Sequence, residues 1–563
     1  MKEVEFTFKL LSSLDKVFQD QEPLEQKDLP LPSGFQNETT SFQAAYRMTG
    51  AEPWVDFRVE IISPLKDHIR VRQVRQVPVQ FPIYDNCDTD YLRTSPGLYP
   101  DLLSVPHLAS LYAFPGRWGS LWFDVQPDEN VHPGVYPIEI RLIEVPGGKI
   151  AGETGGKLLA CRTQRVEILQ GILPDQRLIH TKWLYCDTLA EYYRVPVFSE
   201  KHWSIIENFV RHAVEAGINM ILMPTHTPPV NTYIGGERLT TQLVDISIRD
   251  GQYIFDMTNV HRWIAMCRRC GVMYYEVAHL FTQWGCRHAP KIVTSHGGKE
   301  ERIFGWETDS RSPEYQEFLA EYLRALNDVF CQEGIADYVR WHISDEPSEE
   351  DLSYYLEAKK TVRSILPDAV IMDALEEVRF YTEGIVEHPV IPVHAADGFL
   401  KKRVSNLWLY YSCDDYIDVC NHFIAMPSVR CRIFAIHLFK YQIEGFLHWG
   451  YNFYNTARSQ YAVDPYASTD ADGRYPAGDA FQVYPGPHGE PEDSIRLMVF
   501  LHALQDLRAF EWLASLTSRE YTLSLIEEEA GEPVSFHRYP RDMRIMLEIR
   551  RKINEEILRR SFP

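Results

Sequence analysis

The first third of the chain alternates apolar and polar side chains, which is the period of a half-buried β-strand. The predicted strands are FRVEIISP, IRVRQVRQVPVQF, GSLWFDVQP, YPIEIRLIEV and CRTQRVEILQ, and Pro-Gly turn signals lie at 115–116 and 133–134. Because long helical periodicity is absent here, residues 1–173 are predicted to form an N-terminal β-sandwich. Residues 84–106 are too many for a hairpin loop and are expected to fold over a neighbouring surface.

After Leu173, short apolar strand patterns alternate with amphipathic helices. Residues 203–214 and 315–330 have apolar side chains at helical spacing, and the second helix has Ser-Pro before it and Gly after it. The strand candidates lie at 182–187, 219–224, 273–281, 337–346, 369–375, 389–394, 406–411 and 443–449. This repetition predicts an α/β protein with a (β/α)8 TIM barrel over residues 174–515. The alternative is a doubly wound open sheet, but the motifs GxGxxG and GxxxxGKS are absent.

Two further helical patterns follow Ser494, namely IRLMVFLHALQDLRAFEWLASL and RDMRIMLEIRRKINEEILRR. The first is predicted to be the closing helix of the barrel. The second belongs to a predicted C-terminal helical extension, residues 516–563.

Composition and charge limit the classes of partner. The chain has 563 residues, of which 45% are hydrophobic and 24% charged, as in ordinary globular proteins. Its net charge of −22 repels phosphate backbones and anionic lipids, so neither nucleic acid nor a membrane is expected as a partner. No apolar run approaches the roughly 18 residues that cross a bilayer.

The cysteines and the N-terminus favour a reducing compartment. The 10 cysteines have no disulfide or zinc-ribbon spacing, and the CxxC of Cys267 and Cys270 lies in a helical pattern that predicts ordinary packing. The segment MKEVEFTFKLLSSLDKVF lacks the uninterrupted apolar stretch of a signal peptide, so a cytoplasmic location is expected. No cofactor and no metal site are predicted.

The C-terminal ends of barrel strands carry the active site, and here they are rich in polar and aromatic residues. Such a surface suits a sugar, because aromatic rings stack on its C–H groups while acids and amides hold its hydroxyls. A small-molecule or oligosaccharide substrate is therefore expected. The predicted substrate-binding residues are Asp187, His279, Trp284, Trp306, His342, Tyr410, Trp449, Tyr451 and Asn452.

Some of these residues have a purely structural alternative. His279 has the alternative of a buried histidine bonded to the backbone, and Asp187 that of a helix cap. Tyr410 and Tyr411 point to opposite faces of a regular strand, so at most one of them contacts the substrate. Trp306 lies in a predicted loop, where a tryptophan is more informative than one in the core.

The segment WHISDEP, residues 341–347, contains the predicted catalytic residues Asp345 and Glu346. On the fourth strand Glu346 shares the parity of His342 and should face the barrel interior. Asp345 has the opposite parity and joins Glu346 only if the backbone leaves β geometry, which the following proline favours. We expect both carboxylates to reach the site. The alternative is an acidic helix N-terminus, because SEEDLSYYLEAKK follows.

Two adjacent carboxylates can take different roles in glycoside cleavage. The charge of one raises the pKa of the other towards the range of a general acid. Since neighbours in sequence are poorly placed to flank an anomeric carbon, a 2-acetamido group of the substrate is a candidate nucleophile. The closer alternative is a retaining glycosidase with a protein nucleophile, for which Asp373 on the fifth strand is the candidate.

WHISDEP followed by an amphipathic helix resembles the signature of glycoside hydrolase family 123, whose catalytic domain is also labelled DUF4091. Further segments resemble this family in the same order, namely TKWLYCDTLAEYYRVPVFSEKHW, EVAHLFTQWG, GFLHWGYNFYN and YPGPHGEPEDSIRL, with GSLWFDVQPDENVHPGVYPIEI resembling its N-terminal domain. The resemblance implies a β-N-acetylgalactosaminidase that uses the acetamido group of its substrate. It also implies that Asp345 orients this group. Glu346 would act first as general acid and then as the base that activates water against an oxazoline.

Two other classes remain as alternatives. A metal-dependent barrel hydrolase would use histidines near strand ends, but the HxH pair on strand one and an HExxH motif are absent. The candidates for it are His226, His279, His342 and His394. A carbohydrate-binding protein with an inactive barrel is the other alternative, and the intact Asp345–Glu346 pair argues against it.

Overall fold

A computed structural model describes residues 4–26, 28–105, 111–145, 156–283, 285–296 and 299–562. The strands are β1 Glu5–Ser12, β2 Ser33–Phe35, β3 Thr40–Thr49, β4 Val55–Ile62, β5 Ile69–Val79, β6 Gly97–Ser104, β7 Leu111–Ala113, β8 Trp118–Val125, β9 Gly134–Glu144, β10 Leu158–Leu169, β11 Ile179–Lys182, β12 Met220–Met223, β13 Asp245–Arg249, β14 Gln252–Asp256, β15 Tyr274–Val277, β16 Ile292–His296, β17 Lys299–Phe304, β18 Val339–Arg340, β19 Met372–Ala374, β20 His388–Pro392, β21 Trp408–Tyr410, β22 Gly445–His448, β23 Val483–Pro485 and β24 Pro491–Ser494. The α-helices are α1 Cys186–Tyr193, α2 Glu200–Glu215, α3 Thr258–Cys270, α4 Pro313–Gln332, α5 Leu352–Ile365, α6 Val378–Thr382, α7 Ala396–Lys401, α8 Ser428–Arg432, α9 Phe434–Lys440, α10 Ile495–Leu516, α11 Arg519–Ala530 and α12 Met543–Ser561.

An eight-stranded parallel sheet forms a nearly closed barrel, with the strand order β18-β15-β12-β11-β22-β21-β20-β19. Its two ends meet through an isolated parallel bridge between Trp341 and Ile371. The Trp341 N–H donates to Val370 O, and the Met372 N–H donates to Trp341 O, both at 2.9 Å. Six of the eight strand candidates after Leu173 contain one of these strands, which are shorter than the candidate segments. The candidate 182–187 shares only Lys182 with β11, which begins and ends earlier, and β20 begins one residue before the candidate 389–394.

The N-terminal part forms two mostly antiparallel sheets with the orders β1-β3-β8-β5-β6-β24-β23 and β2-β10-β9-β4-β7. They share one apolar core, to which Phe42 and Phe123 of the first sheet and Ile140 and Val166 of the second contribute. The segment 84–106 is only partly a loop, because it contains β6. The β23–β24 hairpin follows the barrel strands in sequence and extends the first sheet through β6.

The helices confirm the apolar spacing of the sequence. Helix α2 buries one face that includes Trp203, Ile206 and Phe209. Helix α4 begins at Pro313, and the hydroxyl of its N-cap residue Ser312 accepts from the Tyr315 N–H. None of the helices in the described part of the chain is both long and apolar enough to cross a membrane.

The last helix attaches to the rest of the molecule through a buried arginine. Arg550 of α12 donates to both Glu38 carboxylate oxygens at 2.7 Å and to Asp506 of α10 at 2.8 Å. All three side chains are buried. The next residue, Arg551, instead pairs with Glu548 of the same helix and is 39% exposed.

Prediction: Arg550→Ala should lower the free energy of unfolding by about 3–5 kcal/mol, because it leaves the buried Glu38 carboxylate without its cation, whereas Asp506 keeps Arg432. The neighbouring Arg551→Ala is the matched control and should cost less than about 1 kcal/mol, as exposed ion pairs do. Denaturant unfolding of both variants measures the difference. Similar losses in the two would show that the buried ion pairs do not hold the helix.

Candidate active site

The backbone leaves β geometry at the end of the fourth barrel strand. Regular pairing stops at Arg340, and the isolated bridge at Trp341 is the last contact of this strand with the sheet. Glu346 then adopts a left-handed conformation with φ of 45°. A non-glycine residue in this region costs roughly 1–2 kcal/mol, so the surrounding contacts must hold it there. This departure from β geometry is the one that the sequence requires for both acids to reach the site.

Glu346 lies at the C-terminal end of the parallel strands. Its Oε1 accepts a hydrogen bond of 2.7 Å from the hydroxyl of Tyr410, the last residue of β21. Asp345 and Glu346 both keep part of their surface accessible to solvent, unlike the four residues before them. Among the described residues, no hydrogen bond reaches the Asp345 carboxylate, so both of its oxygens are available to a ligand.

Asp373 of β19 fixes the backbone that precedes the two acids. Its Oδ1 accepts from the Ile343 N–H at 3.0 Å and from the Ser344 N–H at 3.3 Å. Its Oδ2 accepts from the Tyr355 hydroxyl at 2.7 Å. Asp373 is fully buried, so its oxygens are committed to the protein itself.

A buried histidine stands between two buried carboxylates beneath the site. His342 Nε2 lies 2.7 Å from Glu276 Oε1, and its Nδ1 lies 3.4 Å from Asp373 Oδ1. Glu276 also accepts from the Trp183 indole and the Thr181 hydroxyl, each at 2.7 Å. Burial alone would lower the pKa of His342, but these two carboxylates raise it to about 10. His342 is therefore a cation at neutral pH.

Burial and neighbouring negative charge raise the pKa of the two partly buried acids. Burial and the adjacent Glu346 raise the pKa of Asp345 well above its usual range, while the His342 cation opposes the rise. Burial also raises the pKa of Glu346, and the Tyr410 hydroxyl opposes this by stabilising the carboxylate. Such raised pKa values are typical of carboxyl groups that transfer protons near neutral pH.

The structure brings three of the other predicted residues to this region. His279 stacks on His342 with ring centroids 4.3 Å apart, so His279, His342 and Tyr410 all adjoin the two acids or the cluster beneath them. Trp449 follows β22, is partly exposed, and donates from Nε1 to Asp479 at 3.2 Å. Trp306 is also partly exposed, and its Nε1 donates to Gly236 O. Trp284 lies outside the described residues.

Three predicted residues have side chains that bond to other parts of the protein. The first barrel strand ends at Lys182, so Asp187 lies in helix α1, where it forms a buried two-point ion pair with Arg238 rather than a helix cap. The Tyr451 hydroxyl contacts His212 Nδ1 of helix α2 at 2.8 Å. The Asn452 amide bonds the backbone of Tyr185 in both directions. The structure does not bring these three side chains beside Glu346.

Two residues of the cluster were missed in the sequence. Glu276 is the only charged residue of the apolar strand YYEV, and a lone carboxylate in a buried strand was the available signal. Trp183 follows the first strand directly, and its indole reaches Glu276. Their pairing could not be foreseen, because it joins strands that are not consecutive along the chain.

Three of the four histidines proposed for a metal-dependent hydrolase have other partners. His226 Nε2 contacts the His279 carbonyl at 2.8 Å, and His394 Nδ1 contacts Asp415 at 2.9 Å. His342 lies between its two carboxylates. In the ranges that the structure describes, no group of potential metal ligands includes any of the four.

Prediction: Glu346→Gly should unfold with a free energy about 1 kcal/mol higher than Glu346→Ala, since both lack the carboxyl group and only alanine is strained at positive φ. Both variants should have lost the activity of the site. Denaturant unfolding of the pair measures the strain stored at this position. Equal stability would mean that the left-handed backbone at Glu346 is relaxed in the native protein.

Comparison with known proteins agrees with this geometry. The family model described as "Glycoside hydrolase 123, catalytic domain" matches residues 183–513. A solved family 123 glycoside hydrolase from Clostridium perfringens has a TM-score of 0.70 at 14% sequence identity, covering 98% of this chain and 98% of that one. A Bacteroides ovatus GH5 xyloglucanase has a TM-score of only 0.29 at 8% identity, covering 85% of this chain and 99% of that one. No curated protein matches the chain. Since the family match spans more than half of the sequence, the chain belongs to glycoside hydrolase family 123 and is a glycosidase.

Proposed function

We propose that this glycosidase removes terminal β-linked N-acetylgalactosamine and that the acetamido group of the substrate is the nucleophile. The observation that supports the mechanism is that two neighbouring carboxylates already bind other groups of the protein. Asp373 and Glu276 are fully buried, and all four of their oxygens accept hydrogen bonds from the protein. Of the four carboxyl groups of Glu276, Asp345, Glu346 and Asp373, only those of Asp345 and Glu346 remain accessible. These two are adjacent in sequence and poorly placed to flank one anomeric carbon.

Each acid then has one role. The acetamido oxygen attacks the anomeric carbon while Glu346 gives its proton to the departing glycosidic oxygen. Asp345 takes the acetamido N–H proton, and a neutral oxazoline results. Glu346, now ionised, removes a proton from water, whose oxygen attacks the anomeric carbon and opens the oxazoline. Asp345 returns its proton to the nitrogen, which restores the acetamido group. Two displacements at the same carbon retain its configuration.

The electrostatics of the site support this division of roles. Tyr410 orients the Glu346 carboxyl through Oε1, which leaves Oε2 free to hold the transferable proton. The His342 cation favours the charged form of Asp345. An acetamido N–H that binds Asp345 favours the same charged form, so substrate binding moves the shared proton towards Glu346.

The choice of sugar rests on weaker support than the mechanism. The resemblance to the family implies N-acetylgalactosamine, and the family 123 enzyme from Clostridium perfringens is described as one of glycolipid glycan hydrolysis. We therefore propose a β-linked N-acetylgalactosamine at the non-reducing end of an oligosaccharide as the substrate. Trp306 and Trp449 are the proposed stacking surfaces, because both are partly exposed aromatic residues.

We also propose the finer architecture expected from the sequence. The parallel order of eight strands and the bridge between its ends support a (β/α)8 barrel over residues 174–515. The core shared by the two N-terminal sheets supports a β-sandwich over residues 1–173. Helices α11 and α12 make up most of the extension over residues 516–563.

Prediction: the purified protein should release the aryl alcohol from an aryl β-N-acetylgalactosaminide, and a thiazoline mimic of the oxazoline should inhibit it. Glu346→Gln should lower kcat/KM roughly 10²–10⁴-fold on substrates with poor leaving groups, and far less on activated ones, because only the former need a proton. Steady-state kinetics on the two substrate types measures the difference.

Glu376→Gln is the matched control for this experiment. Glu376 is an exposed carboxylate whose charge acts on Glu346, and it is a possible protein nucleophile. Under substrate assistance this variant keeps its turnover at its optimum pH. Loss of activity in Glu376→Gln together with indifference to the thiazoline would instead assign a protein nucleophile. Absence of turnover on every 2-acetamido glycoside would overturn the proposed specificity.

Prediction: Tyr410→Phe should move the alkaline limb of the kcat/KM profile to higher pH. The Tyr410 hydroxyl stabilises the Glu346 carboxylate and so lowers the pKa of this group. Its removal raises that pKa, and the general acid then keeps its proton over a wider range. A pH profile of both proteins decides the point. An alkaline limb that moves to lower pH, or stays in place, would contradict the assignment of Glu346 as the acid.

A further inference from the structure

Three buried side chains converge at the C-terminal end of β22, outside the cluster of His342. They are His448, the last residue of this strand, with His422 and Asp479 from the loops on either side. One potential ligand atom from each lies within 4.8 Å of the other two. We call these three residues the His–His–Asp group.

The atoms that face one another in this group have no hydrogen-bond partner. His422 Nδ1, His448 Nε2 and Asp479 Oδ1 are all buried and unpaired. The exposed fraction of the three residues is 1%, 0% and 0%. An unsatisfied buried polar group costs about 1–3 kcal/mol, so three of them at one point indicate that a ligand satisfies them together.

The separation of these atoms fits a metal ion better than a direct hydrogen bond. His448 Nε2 lies 3.6 Å from Asp479 Oδ1, which is too long for a hydrogen bond. Ligand atoms about 2.0–2.1 Å from a tetrahedral Zn²⁺ lie roughly 3.3 Å apart, close to this value. Two imidazole nitrogens and one carboxylate oxygen are also a usual ligand set for zinc.

The outer atoms of the three side chains have the partners that metal ligands require. His448 Nδ1 lies 3.2 Å from Gly450 O and 3.0 Å from Gly450 N, so it can donate to the carbonyl when Nε2 binds a metal. His422 Nε2 lies 2.8 Å from Gln482 Nε2, which only donates, so a metal at His422 Nδ1 requires the Gln482 amide to turn its oxygen towards Nε2. Asp479 Oδ2 accepts from the Trp449 indole. The orientation of each proposed ligand is therefore fixed by a contact at the atom that points away from the metal.

The cations nearest to the group do not oppose a metal. Arg496 forms a two-point ion pair with Asp101 at 2.9 Å, which compensates its charge. Lys182 Nζ contacts the Gln482 side-chain amide rather than the three ligand atoms. Asp479 is the acidic member of the group and offers the carboxylate oxygen that a divalent cation would bind.

We propose that His422, His448 and Asp479 bind a single Zn²⁺, with a fourth position open to water. The ion would lie behind Trp449, since Asp479 uses one oxygen for the metal and the other for the Trp449 indole. It is separate from Asp345 and Glu346, and the proposal does not depend on the sugar specificity. The rival occupant is one buried water molecule, which satisfies the same three atoms without a charge.

The experiment measures metal content directly. The intact protein and its variants are produced in zinc-supplemented and in cobalt-supplemented medium, purified, and dialysed against buffer without metal. Wild type should retain one Zn²⁺ per chain by mass spectrometry of the metal. The cobalt form should show the intense visible absorption of tetrahedral Co²⁺. Asp479→Asn keeps an oxygen for Trp449 but removes the charge, and we expect its metal affinity to fall by more than the roughly 10–100-fold that loss of an outer partner costs.

A second ligand variant and a matched control keep the result decisive. His422→Gln should also lose the metal, whereas His502→Asn, at a buried histidine remote from the group, should retain it. Circular dichroism checks that each variant is folded. Wild type without retained metal and without cobalt absorption would leave water as the occupant and overturn the proposal. Equal metal content in wild type and Asp479→Asn would do the same, since the ion would then lie elsewhere.

Discussion

The carboxylate of Asp373 accepts two backbone hydrogen bonds that a neighbouring strand would accept in a complete barrel. The geometry of the site depends on this interaction. Strand pairing between the two ends of the sheet is limited to the bridge of Trp341 and Ile371. Beyond this bridge the N–H groups of Ile343 and Ser344 turn to the Asp373 side chain instead of a neighbouring strand. A carboxylate can hold two successive N–H groups that a regular ladder, with its alternation, cannot. The chain is thereby released from strand parity just before the two acids.

The same carboxylate is neutralised by the cation that the site needs. His342 stands between Asp373 and Glu276, and without its positive charge two buried carboxylates would lie unpaired. The charge also acts on Asp345, where it favours the ionised form against burial and against Glu346. The His342 imidazolium thus stabilises the two buried carboxylates below the site and favours the ionised form of Asp345 above it. Backbone geometry and proton transfer are coupled through a single group.

How much of this was foreseeable differs from residue to residue. The proline after Glu346 correctly indicated that the backbone leaves β geometry at the two acids, because this is a local property. The regular strand already ends at Arg340, however, earlier than the parity argument assumed. The alternative role of Asp373 as a nucleophile came from its place near a strand end, and sequence holds no information on which backbone groups such a side chain meets. Tyr451 was placed by its distance from a strand end, but a loop residue no longer follows the strand's alternation. The β23–β24 hairpin joins the N-terminal sheet by a contact between segments far apart in sequence.

The incomplete closure of the barrel is best understood as a condition for the chemistry. A fully paired seam would continue the two-residue alternation through Asp345 and Glu346 and turn one of them towards the surrounding helices. In the structure, backbone pairing between the two ends of the sheet stops after Trp341. The backbone strain lies at Glu346, whose left-handed conformation is unfavourable by roughly 1–2 kcal/mol. Buried hydrogen bonds to Asp373 offset that cost. Two consecutive acids can therefore both reach the end of the barrel only where the regular ladder has already stopped.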